Sequence, residues 1–258
     1  AGKEPVGVIC ELVNEDGSMM RGENLFKFAA EHDIPLVTIE ELAKDSQNLG
    51  ANFSESLNWA KLPRANQDWQ IASFLGKGGV THAILKLGDI KKEPVLLRIH
   101  SECLTGDVFG SQRCDCGDQL ADSFSEISKV GSGVIIYLRD QEGRGIGLSE
   151  KLKAYLLQES GLDTVDANLA LGHNIDERDF ADAAEILKEL NIDSVTLLTN
   201  NPEKAEALIK SGINTKIQPL PSAANPHNQE YLKAKRDRLG HLLLERENDV
   251  GTITKDKA

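Results

Sequence analysis

Gly133-Val134-Ile135-Ile136-Tyr137-Leu138, then Gln141-Glu142-Gly143-Arg144-Gly145-Ile146-Gly147, then Ser149 to Ser160: these three consecutive stretches decide the fold. The first is an unbroken aliphatic run of strand length bounded by turn residues, as expected for a strand buried on both faces. The second is a glycine-rich turn. The third carries Leu152, Tyr155 and Leu156 on one stripe, with Ser149 as cap and Gly161 as stop, and predicts a helix. Val95–His100 and Ser194–Thr199 repeat the strand signal. Phe180–Leu190 and Pro202–Ser211 repeat the helix signal, the latter with Pro202 at its first position and Gly212 past its end. Between Trp69 and about Leu220 this alternation predicts an α/β architecture, a largely buried sheet covered by helices.

Outward from that region the pattern weakens. Val6–Val13 reads as a strand, Asn14–Gly17 as a turn, Arg21–His32 as an amphipathic helix and Pro35–Ile39 as a second short strand. Thr38 to Glu41 has the spacing of a capping box. Residues 1–44 are too few to bury a core of their own, and 45–62 are polar and read as a linker. Residues 63–243 form the main domain and 244–258 a polar tail expected to fray. The first residue is Ala1, which suggests a processed or cut start. The chain has 258 residues with 29 Lys+Arg and 41 Asp+Glu, a net charge of −12. That acidity speaks against a nucleic-acid partner. No apolar run approaches the ~20 residues of a membrane span, and there is no signal-peptide layout. Four cysteines are too few for a disulfide scaffold of this length, which points to a reducing, cytoplasmic compartment.

Three of those cysteines, Cys103, Cys114 and Cys116, fall within fourteen residues. Thiolates hold zinc tightly, and three ligands with one open position distinguish a catalytic from a closed structural site. His100 is near enough in sequence to supply a fourth ligand, and spacing alone does not separate the two readings. The turn 141–147 offers glycines that let backbone approach a ligand, a helix N-terminus that favours an anion, and Glu142 and Arg144 to pair with a guanine-like edge or a phosphate. It reads equally well as a plain tight turn. Thr199-Asn200-Asn201-Pro202, with Lys204, has the same strand–turn–helix form and reads as a capped helix or a phosphate cradle. Asp176-Glu177-Arg178-Asp179 reads as a solvated helix start unless context promotes it.

Together these motifs resemble the GTP cyclohydrolase II family. The resemblance runs from about Leu62 to Leu243 and rests on Arg98 to Asp107, Arg113-Cys114-Asp115-Cys116-Gly117, Glu142 to Leu148, Asp163 to Asn168 and Leu198 to Pro202, in that order. It implies a mixed sheet covered by helices. It implies one catalytic Zn²⁺ per chain on Cys103, Cys114 and Cys116, and Mg²⁺ accompanying the substrate phosphates. GTP contacts are implied for Arg98, Ile99, His100, Ser101, Glu102, Gln119, Glu142, Gly143, Arg144, Thr164, Thr199 and Lys204. Asp176 matches the family's proton acceptor, Arg178 its proposed nucleophile and Tyr155 the tyrosine that positions water. A guanidinium with a pKa above ~12 would serve equally as a charge clamp at Arg178, and Asp176, two positions away, needs a loop to act with it. The implied reaction opens the imidazole ring of GTP and releases formate and pyrophosphate, the first step of riboflavin biosynthesis, in a homodimer. Residues 1–44 resemble the C-terminal end of 3,4-dihydroxy-2-butanone 4-phosphate synthase. The upstream residues of that enzyme are not in the sequence, so no synthase activity is expected from the chain.

Overall fold

The computed structural model describes residues 10–38, 41, 57–242 and 244–245. The chain divides into two compact units, Ala1–Glu55 and Ser56–Ala258. In the first, helix α1 (Glu23–Glu31) buries Ala29. A bridge pairs Val13 with Met19 around the turn stabilised by Asp16. The capping box is present: Glu41 N–H donates to Thr38 Oγ1 at 3.1 Å, and Thr38 N–H donates to Glu41 Oε2 at 2.8 Å. Residues 35–38 are not in a strand, contrary to the sequence expectation. Val6 to Ile9 and most of the stretch read as a linker lie outside the described residues.

The second unit holds a seven-stranded sheet in the order β1-β2-β3-β5-β4-β6-β7. Its strands are β1 (Ala60–Arg64), β2 (Gln67–Leu75), β3 (Thr81–Leu87), β4 (Val95–Ser101), β5 (Gly133–Leu138), β6 (Ser194–Leu198) and β7 (Asn214–Gln218). From β1 to β5 the pairs are antiparallel; β5, β4, β6 and β7 are mutually parallel. The sheet is therefore mixed, as expected. β1 begins at Ala60, inside the stretch read as linker. It turns into β2 through Ala65 and Asn66, both at positive φ, the backbone a two-residue hairpin demands.

The longer helices of this unit among the described residues are α2 (Cys116–Val130), α3 (Gly147–Glu159), α4 (Thr164–Ala170), α5 (Ala181–Glu189), α6 (Pro202–Lys210) and α7 (Gln229–Leu239). α3 starts two residues before Ser149, which does not cap it. β8 (Pro221–Ser222) pairs with β9 (Leu244–Glu245), so the start of the expected fraying tail is in a sheet; the rest of the tail lies outside the described residues.

Strand alternation decides which side chains meet which layer. Val95, Leu97 and Ile99 of β4 join Val134, Ile136 and Leu138 of β5 in a core with Ala183, Ile186 and Leu187 of α5 and Ala205 and Leu208 of α6. On the opposite face Trp69, Leu85, Ile135 and Ile127 form a second core, with Leu96 and Phe124 packed against it. Arg98 and His100 belong to that second face by parity, so β4 changes from apolar to charged along its length. The change falls at the C-terminal end of the parallel strands, where open α/β sheets bind ligands.

Candidate active site

Three chain segments leave the C-terminal ends of β4, β5 and β6 on the same edge, because parallel strands all end there. The first carries Cys103 and then a helical turn, Leu104–Asp107. Cys114 lies in the following loop, and Cys116 is the first residue of α2. The three Sγ atoms lie within 4.8 Å of one another, with Cys103 and Cys114 3.7 Å apart. Zinc–sulfur bonds of about 2.3 Å at tetrahedral angles separate their sulfurs by about 3.8 Å, so this donor set fits a tetrahedral thiophilic ion. Glycines make the approach possible. A Cβ on Gly106 would lie 2.8 Å from Cys114 Sγ, and one on Gly117 would lie 2.5 Å from the Gly106 carbonyl oxygen.

The electrostatics agree with that donor set. Hydrogen bonds from Cys114 and Cys116, aided by the Lys151 charge, pull the Cys103 thiol far below its ordinary value. Proton sharing with Cys103 pushes Cys114 up to about 11, and sharing with both neighbours raises Cys116 well above the thiol range. Three sulfurs this close ionise together only around a cation.

His100 is not the fourth member of the group. Its Nε2 donates to Asp107 Oδ2 at 2.9 Å, and its Nδ1 faces Arg98 Nη2 at 3.4 Å, so both ring nitrogens are engaged elsewhere. Burial holds its pKa below the ordinary histidine value despite the Asp107 carboxylate. Asp107 also accepts from Tyr137 Oη at 2.8 Å and from the Cys103 N–H at 3.0 Å. A closed Cys₃His set would require His100 to give up these partners.

The thiols line one wall of a cavity that opens to solvent. Its other walls carry Arg98, Arg113, Arg144, Lys151, Arg178, Lys204 and Lys235, against one carboxylate among the described residues, that of Glu102. An acidic protein has thus gathered cations at one place, which favours a polyanionic ligand. Burial lowers the pKa of Arg98 to about 10 and that of Lys204 well below the lysine range; Arg98 and Arg178 push Lys204 further the same way. Lys204 Nζ donates to the Ile99 carbonyl at 2.9 Å. Arg144 stands at φ 70°, an uncommon backbone for a side chain of its size, with Nη2 buried and without a hydrogen-bond partner among the described residues.

All but three of the residues expected from the sequence line this cavity. Ile99 is one exception: its side chain points into the core on the other face of the sheet, which leaves only its backbone near the site. Glu142 is another. Its carboxylate pairs with Lys151 Nζ and accepts from the Leu104 N–H at 2.6 Å, so protein groups already occupy the oxygens read as facing a guanine edge. The third, Asp176, sits behind Arg178. Arg178 Nε donates to Asp176 Oδ1 at 2.9 Å, and Nη2 also pairs with that carboxylate. The two residues are in a loop, as their spacing required. Burial opposes the Arg178 charge, yet Asp176 outweighs it and holds the guanidinium above its ordinary pKa. Tyr155 Oη lies 3.2 Å from Thr105 Oγ1, and burial raises its pKa.

Lys151, Tyr231, Lys235 and His241 also line the cavity and were not singled out from the sequence. Lys151 stands four residues before Tyr155, on the same helix face, and that spacing was the available signal. Lys151 Nζ lies 3.2 Å from Cys103 Sγ and donates to Thr105 Oγ1 at 2.8 Å. Lys235 lies in a run of charges that reads as a solvated face.

A family model described as GTP cyclohydrolase II matches residues 55–218, and one described as 3,4-dihydroxy-2-butanone 4-phosphate synthase matches residues 1–45. Proteins named riboflavin biosynthesis protein RibBA are similar along nearly the whole chain. The one from Salinispora tropica is 48% identical over 246 residues, covering 94% of this chain and 61% of that one. The one from Bacillus subtilis is 45% identical over 246 residues, with coverages of 94% and 61%. The chain spans about three fifths of the length of these curated relatives. Among the described residues no helix is long and apolar enough to cross a membrane.

Proposed function

The chain belongs to the GTP cyclohydrolase II family of hydrolases, and from that premise we propose that its cavity binds GTP and opens the imidazole ring of the base. One water adds at carbon 8 of guanine, and a second releases that carbon as formate. A third water cleaves the phosphoanhydride between the α- and β-phosphates and releases pyrophosphate, leaving 2,5-diamino-6-hydroxy-4-(5-phosphoribosylamino)pyrimidine for riboflavin synthesis. The observation that carries this reading is the meeting of three thiols with a ring of cations in one cavity. Cys103, Cys114 and Cys116 would hold one Zn²⁺, which supplies Lewis-acid activation of water at neutral pH.

The chain's own groups do the rest. Tyr155 retains its phenolic proton and is oriented by Thr105, so it can direct a water by hydrogen bonding. Lys204, Arg144 and Arg178 neutralise phosphate charge, with Mg²⁺ accompanying the phosphates. Asp176 keeps Arg178 protonated, which suits a clamp on the α-phosphate better than a nucleophile. Arg98, His100, Ser101, Glu102, Gln119, Gly143, Thr164 and Thr199 complete the walls that orient the nucleotide.

Residues 1–44 are proposed to be a synthase-like segment, with the cyclohydrolase domain beginning no later than Ala60. The described cysteines are all free, which supports a cytoplasmic setting. Leu148, Leu152 and Leu156 form an exposed stripe along α3, which supports a homodimer. The test is formate and pyrophosphate release from GTP and Mg²⁺ before and after zinc removal. Both should stop on removal and return on adding zinc. Retained turnover in folded, metal-free Cys114→Ser protein would overturn the reading.

A further inference from the structure

Asp115 stands between two of the sulfur ligands and is fully buried. A carboxylate in such a place needs a cation and donors around it. The cation comes from α7: Lys235 Nζ donates to Asp115 Oδ1 at 2.6 Å, and the lysine side chain is only 8% exposed. The other carboxylate oxygen accepts from Gln119 Nε2 at 2.6 Å. Gln119 Oε1 in turn accepts from Arg98 Nη2 at 2.8 Å. Arg98 leads on to His100 and Asp107, and Asp107 holds the backbone N–H of Cys103. A continuous buried network thus touches both chain segments that carry the sulfurs. Its far end is a lysine 120 residues downstream of Asp115.

The geometry points to Lys235 as a positioning residue of the metal centre: by pinning Asp115 it holds the Cys114–Cys116 turn in ligating shape, which makes α7 part of that centre. The inference rests on the reading of the three thiols as metal ligands and deepens it. Other contacts anchor α7 independently. Arg238 Nη1 donates to Asp163 Oδ2 at 2.7 Å and to Asp166 Oδ1 at 2.8 Å, and the Leu242 N–H donates to the Asn200 carbonyl at 2.9 Å. Loss of Lys235 therefore need not release the helix, and its effect on the metal can be separated from helix docking.

The experiment measures zinc affinity and release by chelator competition on the full chain, and the absorption of cobalt(II) bound in place of zinc, which reports thiolate geometry. Lys235→Met and the isosteric Asp115→Asn should each weaken zinc by about 10- to 100-fold and shift the cobalt band. The double variant should fall no further than the weaker single variant, since both act through one contact. Arg238→Ala should retain zinc within about twofold, because this surface contact lies away from the network. Wild-type protein that binds no zinc would remove the underlying reading of the thiols. Wild-type protein that binds zinc tightly, with Lys235→Met and Asp115→Asn matching its affinity and cobalt spectrum, would overturn the role of Lys235 alone. If Lys235→Met does not fold, Asp115→Asn decides the matter by the same two readouts.

Discussion

The parallel half of the sheet, β5-β4-β6-β7, and the antiparallel half, β1-β2-β3, each hold a buried histidine paired with an aspartate, and the two pairs serve different ends. On β3, His82 Nε2 lies 2.8 Å from Asp182 Oδ2, and His82 Nδ1 accepts from the Arg139 N–H at 3.1 Å. Both ring nitrogens are spent on holding β3 against α5 and the chain leaving β5. On β4, His100 binds Asp107 in the same way, but its other nitrogen faces Arg98 and the cavity. Antiparallel hairpins send successive loops to opposite edges, whereas parallel strands send theirs to one. The same side-chain pair is therefore a staple in one half and part of a site in the other.

The largest effect should come from the parallel half. Cys114→Ser should lose bound zinc and formate release altogether, measured by metal content and product assay. Lys204→Met should lower kcat/KM for GTP by on the order of 10²-fold, because a buried charged partner of the ligand is worth about 2–5 kcal/mol, while thermal stability stays close to wild type. Trp69→Ala probes the antiparallel half. Trp69 is fully buried and packs edge-on against Phe124 with ring centroids 4.9 Å apart. Its loss should cost about 3–5 kcal/mol in denaturant unfolding with kcat/KM of the folded fraction unchanged. A fall in kcat/KM matching that of Lys204→Met would erase the division between the halves. Asp182→Asn should cost about 1–3 kcal/mol, again without a kinetic effect.

The smallest change concerns acid. Burial, with Lys235, Arg178, Arg144 and Lys204 nearby, pushes His241 down to about 3, whereas an unfolded histidine titrates near 6.5. Below about pH 6.5 the unfolded chain binds the extra proton, so this group's contribution is complete above that pH and is lost as pH falls toward 3. His241→Gln should flatten the acid limb of stability, read as the difference in urea midpoint between pH 7 and pH 5.

Three strands of the parallel half, β4, β5 and β6, were legible because burial on both faces favours apolar runs, whereas β7, with the polar sequence of Asn214–Gln218, was not. Gly133–Leu138 matches β5 at both ends, and Val95–His100 and Ser194–Thr199 match β4 and β6 to within one residue. β1 and β2 were less legible because β1 partly buries only Leu62 and Gln67, Asp68, Gln70 and Ser73 interrupt the apolar residues of β2. α7 was hidden for a related reason: within Gln229–Leu239 it buries only Leu232, Ala234 and Lys235. At the site, Asp176 and Arg178 lie in a loop and pair there, the condition their spacing sets for acting together. Glu142 was assigned outward because nothing local reveals that Lys151 and the Leu104 N–H would claim its carboxylate.

What the sequence determined by itself was the α/β alternation, the three sulfurs close enough along the chain to share one ion, and the two glycine- or proline-marked turns that follow strands. These depend on neighbours within a few residues, whose geometry the backbone period sets. Only the tertiary structure decided that His100 turns to Asp107 and away from the sulfurs, that Ile99 faces the opposite core, and that Lys235 reaches Asp115. A histidine's partner and a lysine's burial depend on charges brought close in space by strand order. The energy of a buried ion pair is set by the dielectric and the donors around it, which no local pattern records.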